Sequence, residues 1–151
     1  MYNCTVFFVI LVVVVGTPGM ALSQAVSECE ITLGAGESIT IVKYGLEIGF
    51  YGILLDCRCP EGLLCFWEGD ATVKIWAAQS SEERLDFELH TYRGFQWQAG
   101  YGNYRITLVE VAPYPSIYGE INPGEYKIHL IIKDDLAPIE TTTWSRIKAL
   151  L

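Results

Sequence analysis

The sequence is poor in positive charge: ten Lys and Arg stand against 18 Asp and Glu, for a formal net charge of −8. Without a basic stripe to displace phosphate counterions, the acidic balance argues against nucleic acid as a partner, and equally against electrostatic docking on anionic membranes. The acidic balance itself reads as solubility, with a cationic partner or Ca²⁺ as the alternative. Histidine is scarce too. His90 and His129 are the only two, and both read as mid-strand residues on solvent faces. There is no Gly-x-Ser-x-Gly elbow, no Gly-rich phosphate loop and no Cys-x-x-Cys pair. The acidic pairs Glu82-Glu83 and Asp134-Asp135 fall in turn-like stretches and read as solvated loops. These absences lead us to expect no enzyme, no cofactor and no metal, a His90/His129 metal site across neighbouring strands being the alternative.

No apolar run approaches the roughly 20 residues needed to span a bilayer. The longest, Val6 to Val15, is followed by Gly16-Thr17-Pro18-Gly19 and then by Ala21-Leu22-Ser23, a small-x-small site. This is the order of a secretory signal peptide over 1–23, so the chain is expected to be exported, to the periplasm or beyond the cell, with no membrane insertion after cleavage. No Lys or Arg precedes the apolar run, which leaves an uncleaved anchor as the alternative.

From Glu30 onward the apolar residues recur with period two. Ile39 and Ile41 share a face, as do Leu46, Ile48 and Phe50; Val73 and Ile75; Leu85, Phe87 and Leu89; and Tyr126, Ile128, Leu130 and Ile132. After Gly49 and Gly52 the phase slips to Ile53 and Leu55, which predicts a bulge. Asn122-Pro123-Gly124-Glu125 reads as a type II turn before the last strand. Six or seven half-buried strands must cover their apolar faces with a second sheet. The expected fold is all-β: a single antiparallel β-sandwich of immunoglobulin-like character over 24–133, followed by a tail over 134–151 of uncertain structure.

Cys4 falls in the signal segment, leaving Cys29, Cys57, Cys59 and Cys65. An even number in an exported chain of this size reads as two disulfides. Zinc held by four thiolates is the alternative, although the spacing is not that of paired Cys-x₂₋₄-Cys knuckles. Cys57 and Cys59, two apart on a strand, point the same way and do not comfortably bridge each other. Cys59 and Cys65 flank Pro60 and Gly62, which turn the chain back, so the expected pairs are Cys59–Cys65 and Cys29–Cys57. The swapped pairing, Cys29 with Cys59 and Cys57 with Cys65, stays open.

The segment "DCRCPEGLLCFWEGDATVKI" resembles a motif of small exported bacterial β proteins: Asp-Ser-Arg-Cys-Pro, a short turn, then Cys-x-Trp-x-Gly and a strand. The matching positions are Asp56, Arg58, Cys59, Pro60, Cys65, Trp67 and Gly69, with Cys57 standing where the motif has Ser. The resemblance implies export and a β fold, and brings no biochemical activity with it.

Asp56 and Arg58 read as a buried pair bracing the stapled loop, and Trp67 as a ring packed on the disulfide. Trp76 falls on the polar face of its strand, where an exposed ring would be a stacking platform. "TYRGFQWQAGYGNYR" sets Tyr92, Phe95, Trp97 and Tyr101 among glycines and is the preferred binding surface, for a protein or a carbohydrate. The function expected is a non-enzymatic binding module. The rivals are a protease inhibitor that inserts "PEGLLCFWEG" into a cleft and a structural envelope-associated protein.

Overall fold

The computed structural model describes residues 28–80 and 82–135, so the expected signal segment over 1–23 and most of the tail over 134–151 lie outside the described residues. Eight strands follow one another: β1 Glu28–Gly34, β2 Ser38–Ile41, β3 Leu46–Asp56, β4 Ala71–Gln79, β5 Leu85–His90, β6 Gln98–Tyr101, β7 Tyr104–Ala112 and β8 Lys127–Asp134. They form two four-stranded antiparallel sheets, in the orders β1-β8-β7-β6 and β2-β3-β4-β5. The all-β sandwich is as the periodicity predicts. The β2-β3-β4-β5 sheet is a meander, whereas in the other sheet the first strand pairs with the last, β1 beside β8, an arrangement unlike the interleaved order of an immunoglobulin domain.

The alternation in the sequence is the alternation in the core. Ala71, Val73, Ile75 and Ala77 of β4 point inward, against Ile106 and Leu108 of β7 and Ile128, Leu130 and Ile132 of β8 in the core between the sheets. The β3–β4 register slips between Phe50 and Gly52 and again between Ile53 and Leu55, the bulge that the glycines announced. Beyond it β3 runs out past the core, and Leu54 and Leu55 are exposed. Asn122 to Glu125 is a 3₁₀ turn rather than a type II turn. Gly124 does not have the positive φ that type II requires at that position, and the Glu125 carboxylate accepts a hydrogen bond from the Asn122 amide at 3.2 Å.

Strand polarity sends the three long connections, β3–β4, β5–β6 and β7–β8, to one pole of the sandwich. The β2–β3, β4–β5 and β6–β7 turns lie at the other. This settles the second disulfide: Cys29 and Cys57 are not bridged. Cys29 is buried on β1 opposite Ile132, while Cys57 follows the far end of β3 as an exposed thiol. Ile132 is six residues on from Tyr126, the residue that leads into β8 and whose hydroxyl meets Asp56. At about 3.3 Å per residue, roughly 20 Å of strand separates the two cysteines, against about 4.4–6.8 Å between the Cα atoms of a disulfide.

Candidate functional site

The pole of long loops is organised around one ion pair. The Arg58 guanidinium donates to both Asp56 carboxylate oxygens, at 2.9 and 2.6 Å, and the Arg58 amide donates to the same group at 3.2 Å. Nη1 donates to the Val111 carbonyl at 2.6 Å, and Nη2, shared with Asp56, donates to the Pro113 carbonyl at 3.0 Å, so the clamp ties the end of β3 to the end of β7 in the opposite sheet. The Tyr126 hydroxyl donates to Asp56 at 3.0 Å, and the Tyr114 ring lies 4.9 Å from the guanidinium carbon. Both charges are almost fully buried, and each polar atom is answered, which a buried pair requires. Burial alone would raise the Asp56 carboxyl. The hydrogen bonds and charge of Arg58, with Tyr126, bring it below its ordinary value. Burial, and then the carboxylate beside it, raise the Tyr126 phenol.

The clamp anchors the disulfide loop. Past β3, two further rungs continue the hairpin: the Cys57 amide donates to the Asp70 carbonyl and the Cys59 amide to the Glu68 carbonyl, both at 2.8 Å. Gly69 makes this possible. Its φ is +79°, and a Cβ there would lie 2.1 Å from the Cys57 carbonyl oxygen. Cys59 and Cys65 are bonded to each other with Cα atoms 5.9 Å apart, so they cannot serve in a four-thiolate zinc site. The Cys57 thiol donates to the Asp70 carbonyl at 3.2 Å. Past Pro60, Glu61 exchanges main-chain hydrogen bonds with the β7–β8 connection: its amide donates to Pro115 and its carbonyl accepts from Ile117. The loop is therefore held at its neck by a disulfide and on its flank by a neighbouring chain segment.

Beyond the neck the apolar side chains face solvent. Leu64 (106 %) and Phe66 (107 %) are fully exposed; Leu63 and Trp67 on the same segment, and Ile117 and Tyr118 of the β7–β8 connection, are exposed too. Trp67 is not the core tryptophan that its place beside Cys65 suggested. It stands half in solvent with its ring edge on Tyr92, 5.9 Å between centroids.

A second centre lies under the β5–β6 connection and was not foreseen in the sequence. Asp70 is buried and accepts hydrogen bonds from the Tyr92 amide at 2.9 Å and the Thr91 hydroxyl at 3.1 Å. Its other oxygen lies 2.7 Å from His90 Nδ1. Burial would raise its carboxyl, and these donors, His90 first, lower it. Thr72 Oγ1 lies 3.3 Å from the same ring nitrogen. In an acid–histidine–nucleophile relay the acid and the nucleophile occupy different ring nitrogens. Here both neighbours sit on Nδ1, so the pair fixes the start of the loop. His129 belongs to the other sheet, 3.6 Å from Glu30, and the two histidines do not meet across neighbouring strands.

The aromatic-glycine segment is not one projecting loop. Tyr92 and Phe95 do stand together, ring centroids 5.2 Å apart, with Phe95 equally close to His90. Trp97 carries the Arg93 guanidinium 4.2 Å from its ring centre. Tyr101 is a correction. It is 2 % exposed on β6, at the opposite pole, where its hydroxyl donates to the Glu83 carbonyl and accepts from the Gln79 amide. Trp76 lies on the outer face of β4 as expected, but over Gly49 and with Arg84 3.9 Å from its ring centre. Both tryptophan rings offered as sugar platforms thus carry a guanidinium.

Comparison with family models, with curated proteins and with solved structures finds no match.

Proposed function

We propose that the protein is an exported, non-enzymatic binding module that engages a protein partner through the loop closed by Cys59 and Cys65. The observation that carries this reading is the full exposure of Leu64 and Phe66 on a segment held by a disulfide, by the Glu61 contacts and by the Arg58 clamp. An apolar side chain in water gains by entering a partner's pocket, and a loop already fixed loses little entropy when it does. A protein is favoured over a carbohydrate because Trp76 and Trp97 both carry guanidinium groups on their rings. The disulfide favours an oxidising compartment, in keeping with the signal-like leader.

A photoreactive phenylalanine analogue placed at position 66, in the cells that produce the protein, tests this reading. Phe66 should yield a discrete protein adduct on irradiation, while the same analogue at exposed Val109 on β7 should yield none. Equal adducts at both positions, or none at 66, would remove the reading.

A further inference from the structure

The disulfide-closed loop has two properties that together narrow its partner. The first lies in its main chain. Among the described residues, no main-chain hydrogen bond is made by Leu64, Cys65, Phe66 or Trp67, although the Cys59 amide and both main-chain groups of Glu61 are bonded. The segment therefore offers unpaired amides and carbonyls alongside its two most exposed apolar side chains. Recognition that uses the main chain for affinity and one pocketed side chain for specificity is how a peptide enters an extended-substrate cleft. The second property is closure. Cys65 is bonded to Cys59, so the chain on either side of the Leu64–Cys65 bond stays tethered if that bond is cut. Hydrolysis there consumes one water and leaves the Leu64 carboxylate and the Cys65 ammonium in one covalent molecule, poised to rejoin with loss of that water.

We infer that this loop is a substrate-like inhibitor segment for a serine endopeptidase with an apolar primary pocket, Leu64 filling the pocket and Leu64–Cys65 lying across the nucleophile. The inference rests on the proposed reading of the loop as a protein-binding element. Charge agrees with it. Glu61 and Glu68 are exposed on the two arms of the loop, so a cleft with an acidic pocket or rim is disfavoured and a neutral or basic one fits.

The test measures inhibition of chymotrypsin, subtilisin and trypsin by the purified protein, its Leu64→Asp and Leu64→Arg variants, and a Cys59→Ser/Cys65→Ser variant. The Leu64 side chain is fully exposed, so replacing it leaves the core untouched. The wild type should inhibit chymotrypsin or subtilisin and spare trypsin. Leu64→Asp should weaken inhibition by about 100-fold, the scale of a central interface side chain, and Leu64→Arg should redirect it to trypsin. The variant without the disulfide should be cut and released as a substrate. Absence of inhibition, rapid loop cleavage in the wild type, or inhibition indifferent to Leu64→Asp would each overturn the inference. A loop-specific adduct at position 66 in those cases would keep the binding module and discard only the protease. Leu64-dependent binding to phosphatidylcholine vesicles without inhibition would overturn both.

Discussion

Arg58 and Asp56 form a two-pronged ion pair, 2.9 and 2.6 Å, and the same guanidinium holds the Val111 carbonyl of the opposite sheet at 2.6 Å. One side chain thus fixes both the neck of the disulfide loop and the distance between the sheets at that pole. Removing it leaves a buried carboxylate and two carbonyls without their donor. Arg58→Ala should cost about 3–5 kcal/mol in a urea unfolding titration. Arg58→Lys should recover little of that loss, because a single ammonium cannot reproduce the fork.

Asp56 and Asp70 both have carboxyls lowered from the ordinary 3.8. Between 3.8 and the folded values the unfolded chain binds more protons than the folded one, so stability falls as pH is lowered through that window. Above it the contribution of these two groups is complete and flat. Carboxyl-carbon NMR should find both midpoints below 3.8, and Asp70→Asn should lose part of the acid-side slope. A midpoint above 3.8 for either group would contradict the hydrogen-bonding described here.

Gly69→Ala should destabilise by about 2 kcal/mol or more, since it combines a positive φ with a Cβ placed against the Cys57 carbonyl. Gly124→Ala is the control. No atom lies within 4 Å of its added Cβ and its φ is not positive, so thermal melts should agree with wild type to within about 0.5 kcal/mol.

The Cys59→Ser/Cys65→Ser variant should lose about 2.4 kcal/mol, the chain-entropy value for a loop this short. Cys57→Ser should change stability by less than about 1 kcal/mol, because a hydroxyl can also donate to the Asp70 carbonyl. Alkylation of the native protein without reductant should label Cys57 and neither Cys59 nor Cys65.

Where a residue's position follows from its near neighbours, it was legible in the sequence. The strict alternation of Ala71 to Ala77 needs only the two-residue period of a strand, and Cys59–Cys65 needs only the Pro60 and Gly62 turn between them. What depends on which pole a strand end reaches was not. Cys29 and Cys57 make an even count, but counting thiols says nothing about the 20 Å of strand, roughly, that lies between them. Asp70 and His90 meet because the β4–β5 register sets Thr72 opposite His90, and nothing local to either residue encodes that register. For Tyr101 the sequence does carry a local signal. Gly102-Asn103 is a two-residue hairpin turn, and it places Ala99 and Tyr101 inward on a strand rather than in a loop.

The proposed recognition loop must be exposed and yet already fixed, so the most direct test is the backbone order of residues 63–67 by ¹⁵N relaxation. Order parameters near about 0.85, equal to those of β4 and falling when the disulfide is reduced, are what the clamp and the staple predict. Values below about 0.6 in the native oxidised protein would mean that Leu64 and Phe66 ride on a mobile tip, and the preorganised binding loop would have to be given up.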